Sequence, residues 1–295
     1  MSTHAASWVN VSKRYGSVQA LDGFSLDLRQ GEVLALVGPN GAGKTTAISA
    51  LLGEIAVDQG KLEVLGQAPG SVAARAAVGV MLQKAELAAM LTVREQLELF
   101  AALQVAPHPV DEILAACGLE DLAARRYAQL SGGQQRRVQF AIALIGRPRV
   151  LLLDEPTVAL DPLARNEFWR HLAERVRGGM AVLLTTHQLD EAEAVADRIA
   201  VIRGGRLIAC ESASTLRARA GLTRIRCRSR LAPEQLRSWP DVVEAEANAG
   251  VLELRCTAPE AILRQMLNLD AELGELEVGK PALADSLEQL YREAA

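Results

Sequence analysis

The sequence contains no apolar run approaching the ~20 residues that a membrane-spanning helix needs. Stretches such as Ala141–Gly146 are far too short. It has no basic surplus either: 32 Lys and Arg face 36 Asp and Glu, a net charge of −4 and a pI near 5.7. That balance leaves no footprint for general nucleic-acid binding. Cysteines number four (Cys117, Cys210, Cys227, Cys256), with no CxxC pair and no clustered histidines. A zinc site or a disulfide framework is thereby disfavoured, and a reducing compartment fits best. Met1–Asn10 lacks a basic region followed by an apolar stretch, so no signal peptide is expected. Internal repeats and low-complexity linkers are absent too. These absences predict a soluble chain whose role at any membrane must come through a partner.

What is present is enough for a sizeable core. The 295 residues are 49% apolar, and the length favours two compact units. Val33–Val37 is an unbroken apolar run between Gly31 and Gly38, which suits a strand buried on both faces of a parallel sheet. Val150–Leu153 and Ala181–Thr185 repeat that pattern, with Ala-, Leu- and Arg-rich helical spacing between them. Thr92-Val-Arg-Glu95 reads as a capping box, and a helix from Val93 to about Gln104 is expected, stopped by Pro107 and Pro109. After roughly Ala220 the pattern changes. Arg224–Arg230 alternates, Pro233–Trp239 looks helical, Val242–Ala247 and Val251–Cys256 extended, Pro259–Leu269 helical, Gly274–Val278 extended and Pro281–Glu293 helical. The order β-α-β-β-α-β with a last helix matches a ferredoxin-like unit. Residues 1–219 and 220–295 are the expected domains.

The segment Gly38-Pro39-Asn40-Gly41-Ala42-Gly43-Lys44-Thr45-Thr46 satisfies the phosphate-loop pattern G-x4-G-K-[ST]. Its glycines let backbone N–H groups turn inward on a phosphate chain, and the helix beginning near Lys44 aims its positive end at the same charge. Lys44 would reach the β- and γ-phosphates, and the Thr45 hydroxyl would ligate Mg²⁺. Asp154 and Glu155 end an apolar strand. Asp154 is placed to hold the metal, which leaves Glu155 to orient and deprotonate an attacking water. Strand ends at 37, 153 and 186 would converge on one sheet edge, where open α/β folds bind ligands, and would bring His187 to the γ-phosphate.

Leu130-Ser131-Gly132-Gly133-Gln134-Gln135-Arg136-Arg137 resembles the signature of ABC-type ATPases, and the resemblance extends over about residues 7–215. It implies an α/β fold: a P-loop NTPase core with antiparallel β and helical subdomains, followed here by the small α+β unit. It implies that Tyr15 stacks on adenine, that Gln83 touches Mg²⁺ and faces a membrane partner, that Asp161 lies on a loop crossing a dimer interface, and that His187 contacts the γ-phosphate. Ser131 is a natural N-cap, and Gly132 and Gly133 leave N–H groups open at a helix start. By resemblance this second phosphate site, with Gln134, serves ATP held by the opposite subunit. Two ATP molecules would join a head-to-tail homodimer, and hydrolysis would release it. Val158-Ala159 departs from the family's small polar residue and Gly, which bears on the geometry of that interface loop.

The implied function is the ATP-hydrolysing subunit of a membrane transporter, of the exporter type with a separate transmembrane permease. The chain would lie in the cytoplasm, peripheral at the inner face of the membrane through that partner. Leu87, Met90 and Leu91 serve equally well as the border of a groove for the partner or as core of the helical subdomain. A soluble relative acting on nucleic acid or ribosomes fits less well: only 87 positions separate Lys44 from Ser131, without sustained heptads, and there is a single set of motifs. A module that binds nucleotide without catalysis is disfavoured by the presence of Lys44, Asp154, Glu155 and His187 together. The arginines at 224, 226, 228 and 230 form either a site for an anionic lipid or regulatory ligand, or a strand face paired with acids in 234–246.

Overall fold

The computed structural model of the protein describes residues 4–83, 85–219, 222–248, 250–279 and 283–293. Contacts divide the chain at 211/212, into Met1–Glu211 and Ser212–Ala295, rather than at 219/220.

The first unit runs β1 (His4–Tyr15), β2 (Val18–Arg29), β3 (Val33–Val37), α1 (Lys44–Leu52), β4 (Gln59–Val64), α2 (Val72–Ala76) and β5 (Val78–Met81). It continues with α3 (Val93–Ala102), α4 (Val110–Ala116), α5 (Gly132–Ile145), β6 (Val150–Asp154), α6 (Pro162–Arg177) and β7 (Ala181–Thr185). The unit closes with α7 (Leu189–Val195), β8 (Arg198–Arg203) and β9 (Arg206–Glu211). Two sheets form. β2-β1-β4 is antiparallel, and β5-β6-β7-β3-β8-β9 is parallel except at β9. β3 and β7 are buried along their whole length, as their uninterrupted apolar sequences require. In register, Leu36 and Asp154 both stand beside Thr185, so the carboxyl ends of β3, β6 and β7 share one edge. One apolar core unites the two sheets across α1, with the Trp8 Nε1–H donating to the Ala47 carbonyl at 3.1 Å.

The Thr92–Glu95 box forms reciprocally, through Glu95 N–H to Thr92 Oγ1 at 3.2 Å and Thr92 N–H to Glu95 Oε2 at 2.8 Å. The helix it opens closes at Ala102, short of the expected Gln104 and of Pro107. Its last amides, Leu103 and Gln104, tighten back onto Phe100 and Ala101 instead. Met90 is 68% exposed, as are Leu99, Leu103 and Val105 to varying degrees, while Leu87 and Leu91 are half-buried. No helix among the described residues is long and apolar enough to cross a membrane.

The second unit consists of α8 (Ala213–Arg219), β10 (Thr223–Arg228), α9 (Pro233–Arg237), β11 (Val242–Asn248), β12 (Val251–Cys256), α10 (Pro259–Leu269), β13 (Gly274–Gly279) and α11 (Leu283–Glu293). Its antiparallel sheet has the order β11-β12-β10-β13, the arrangement of a ferredoxin-like unit. Ile225 and Cys227 of β10 enter a core with Leu236, Leu254, Ile262 and Met266. The expected start of the last helix, at Pro281, lies outside the described residues.

The arginines of β10, with Arg230 just beyond it, form an ion-paired face whose bridges run to acids later in the chain than 234–246. Arg224 meets Glu253 at 2.5 Å, Arg226 meets Glu277 at 3.7 Å, Arg228 meets Glu275 at 3.1 Å, and Arg230 meets Glu272. The reason is topological: β10 lies between β12 and β13, so its neighbours come from later in the chain.

Candidate functional site

Four separated segments meet at the carboxyl edge of the parallel sheet. The first is the loop from β3 into α1. Gly38 and Gly43 are required there by space. A Cβ on Gly38 would stand 2.3 Å from the Ile202 carbonyl, and one on Gly43 2.4 Å from the Ala20 carbonyl. Gly43 also adopts φ +111, a conformation L-residues avoid. The loop therefore curls tightly against β8 and β2 and leads into the N-terminus of α1, with Pro39, Asn40, Gly41 and Thr45 exposed. Thr46 follows within the first turn, and Ala42 is buried. Lys44 Nζ donates back to the Gly38 carbonyl at 2.7 Å and the Pro39 carbonyl at 3.1 Å. Burial pulls its pKa below the ordinary value, while the nearby Glu155 and Asp154 carboxylates push it back up.

The second segment is the end of β6. Asp154 accepts a hydrogen bond from the Thr185 hydroxyl. Glu155 follows at φ +49, its N–H bonded to the Thr185 carbonyl at 2.9 Å. The third and fourth segments converge on its carboxylate. Gln83 Nε2–H donates to Oε2 at 2.8 Å, and His187 Nδ1 lies 2.8 Å from Oε1. Gln83, Glu155 and His187 are thus joined by hydrogen bonds, beside Asp154 and with Lys44 near enough to feel both carboxylates.

The other predicted residues have local partners of their own. Ser131 caps α5, accepting from Gln134 N–H at 3.3 Å, while the Gln134 side chain accepts from Ser131 N–H at 3.0 Å. Gly132 and Gly133 begin that helix against the loop after β6: a Cβ on Gly133 would stand 3.1 Å from the Ala159 carbonyl. No hydrogen bond among the described residues joins 131–134 to 38–46. Asp161 caps α6, accepting from Leu163 N–H at 3.0 Å and Ala164 N–H at 2.9 Å. Tyr15 ends β1, half exposed, with Lys13 Nζ 5.5 Å from its ring centre.

The sequence reading missed two supports. Glu191 is buried and accepts from the hydroxyls of Thr157 and, at 2.9 Å, Thr186, tying the loop after β6 to the loop after β7. Arg136, 7% exposed, donates to backbone carbonyls on both sides of the Gln83–Glu155 contact. It stood in plain view inside the 130–137 motif, but its partners are carbonyls, which no residue type announces.

The residues present fit a nucleotide and a hard divalent cation. The cradle accepts no side chain at Gly38 or Gly43. The oxygen donors at the edge include the Thr45 hydroxyl and the Asp154 and Glu155 carboxylates. No cluster of three or more His, Cys, Asp or Glu that could hold a metal exists among the described residues. A hydroxyl and carboxylates are the hard oxygen donors that a Mg²⁺-type cation takes alongside phosphate oxygens and water.

A family model described as ABC transporter matches residues 21–158. The chain is 41% identical over 232 residues to the daunorubicin resistance ATP-binding protein DrrA3 of Streptomyces coeruleorubidus, covering 76% of this chain and 73% of that protein. It is 42% identical over 216 residues to the Nod factor export ATP-binding protein I of Burkholderia orbicola, covering 71% of each. Among solved structures, the ATP-binding subunit of an ABC transporter superposes with a TM-score of 0.68 at 26% identity, covering 74% of this chain and 93% of that one. A dimeric ATP-binding cassette in a post-hydrolysis state bound to ADP and Pi superposes with a TM-score of 0.64 at 26% identity, covering 70% and 98%.

Proposed function

The chain belongs to the ABC transporter ATP-binding proteins, and from that membership we infer how its own residues bind and hydrolyse ATP. It is the ATP-hydrolysing subunit of an exporter-type transporter. The observation that carries the reading of the site is the Glu155 carboxylate, held by Gln83 and His187 at the same edge as the Lys44 cradle.

In this reading the N–H groups of 38–46 bind the phosphate chain, and Lys44 leaves the Gly38 and Pro39 carbonyls for the β- and γ-phosphate oxygens. Thr45, Asp154 and Gln83 hold Mg²⁺, which when bound neutralises charge on the phosphates. Glu155 orients the attacking water and accepts its proton. His187 bears on the γ-phosphate, and Tyr15 stacks on the base. Ser131, Gly132, Gly133 and Gln134 serve the ATP of a second copy, and Asp161 stands at that interface. The dimeric state of the solved cassette bound to ADP and Pi supports this.

The membrane partner is a separate permease, contacted through the exposed apolar residues around Met90 and α3, which holds this chain at the cytoplasmic face. The relatives named for daunorubicin resistance and Nod factor export support outward transport. The second unit is an accessory domain, since every nucleotide residue precedes position 190.

The test is direct. Purified protein hydrolyses ATP with Mg²⁺, and Lys44→Ala removes most of that activity, because charge-assisted bonds to the transferring phosphoryl group are lost. Wild-type turnover in Lys44→Ala would sink the phosphate-loop assignment.

A further inference from the structure

We propose that Arg136 is a positioning residue for hydrolysis: its guanidinium locks the backbone of Glu155 and the chain beside Gln83 into one unit, so that the base is presented to water. The proposal rests on the reading of Glu155 as the base.

The geometry is a fork. Arg136 Nη2–H donates to the Glu155 carbonyl at 2.7 Å, and Nη1–H donates to the Leu82 carbonyl at 2.9 Å. Nη1–H is also shared with Gln139 Oε1 at 2.9 Å, and Gln139 is itself held by Nε2–H to the Tyr127 hydroxyl at 3.0 Å. The side chain is therefore oriented from α5 and is 7% exposed. Burial lowers its pKa, while Asp154, Tyr127 and Glu155 raise it.

Both carbonyls belong to residues that need holding. Glu155 sits at φ +49, a conformation an L-residue keeps only when its surroundings over-determine it. The bonds at its two ends, N–H to Thr185 and carbonyl from Arg136, do this. Leu82 immediately precedes Gln83, whose side-chain amide donates to the Glu155 carboxylate at 2.8 Å. Arg136 thus fixes the base twice, once through its own backbone and once through the residue that orients its carboxylate. A planar guanidinium can serve two carbonyls at set angles; a lysine ammonium supplies a single point of charge. The arrangement also ties the helix that begins with the signature to the catalytic carboxylate within the same chain.

The experiment is single-turnover ATP hydrolysis and ATP affinity of the full chain, for Arg136→Met and Arg136→Lys, each in wild-type and Glu155→Gln backgrounds. Arg136→Met should slow hydrolysis about tenfold or more, a share of the ~10²–10⁴ that general-base assistance supplies. Its ATP affinity should stay within about threefold of wild type. Arg136→Lys should recover part of the rate. In the Glu155→Gln background, adding Arg136→Met should change the residual rate by less than about twofold, since a residue acting through Glu155 has nothing left to position. An equal fold-loss in both backgrounds overturns the proposal while leaving the base reading intact. So does an unchanged rate in Arg136→Met, or a loss of affinity and thermal midpoint in step with rate in both variants. A wild-type rate in Glu155→Gln alone removes the base, and the proposal with it.

Discussion

Ala159 stands at φ +71 in the loop after β6, exposed, with its carbonyl against the first turn of α5. The left-handed backbone costs an L-residue about 1–2 kcal/mol, and glycine nothing of the kind. Replacing it with glycine also adds about 0.5–1 kcal/mol of unfolded-chain entropy, which offsets part of the relief. Ala159→Gly is therefore expected to leave stability unchanged or raise it by up to about 1 kcal/mol. Chemical denaturation of the two proteins checks this, and a loss of about 1 kcal/mol, the usual penalty for glycine in ordered backbone, would contradict it. At this scale the sequence was readable wherever a residue type has a single use. Gly43 takes the positive φ and Ser131 the helix cap that their chemistry predicts. Arg136 and Glu191 were not readable, because what they hold is backbone and hydroxyl groups brought near only by the sheet.

At the scale of elements, the buried strands were plain in sequence. Five apolar residues between glycines can be covered only from both faces, and β3 is. Pairing was harder. The acids nearest in sequence to the β10 arginines looked like their partners, yet strand order puts β13 and β12 beside them. Order depends on which faces the helices cover, not on sequence distance.

The turn from β10 to α9 offers a test of the second unit. The Asp270 carboxylate accepts from Arg230 N–H and Ser229 Oγ–H, each at 2.7 Å, and from Glu272 N–H at 3.0 Å. The Arg230 amide, then the Ser229 hydroxyl, hold its pKa below the ordinary 3.8. A depressed folded value means the ionised form stabilises the fold fully above the unfolded value, and that contribution fades as pH falls through the folded one. Asp270→Asn should therefore lower the unfolding midpoint of this unit near neutral pH. The gap to wild type should narrow only below 3.8. Thermal unfolding followed across pH measures it, and a gap that is constant down to the acid limb would refute the assignment.

For the whole molecule, the proposed nucleotide site draws on two parts of the chain, the 38–46 cradle and the start of α5. On the proposed reading the cradle binds the chain's own ATP, and Ser131 with the glycines after it serves the ATP of a second copy. On that reading ATP joins two copies and Glu155 lets them part. Glu155→Gln tests it most directly. The amide is nearly isosteric, so the cradle, Asp154 and the Ser131 cap are untouched, but it cannot accept a proton, a function worth about 10²–10⁴ in rate. Size-exclusion chromatography with light scattering, run with and without ATP beside an assay of phosphate release, reads both consequences. The expected result is a stable dimer with ATP, a monomer without it, and almost no phosphate released. A Glu155→Gln protein that remains monomeric at saturating ATP would rule out the ATP-joined pair, and one that releases phosphate at the wild-type rate would rule out Glu155 as the base.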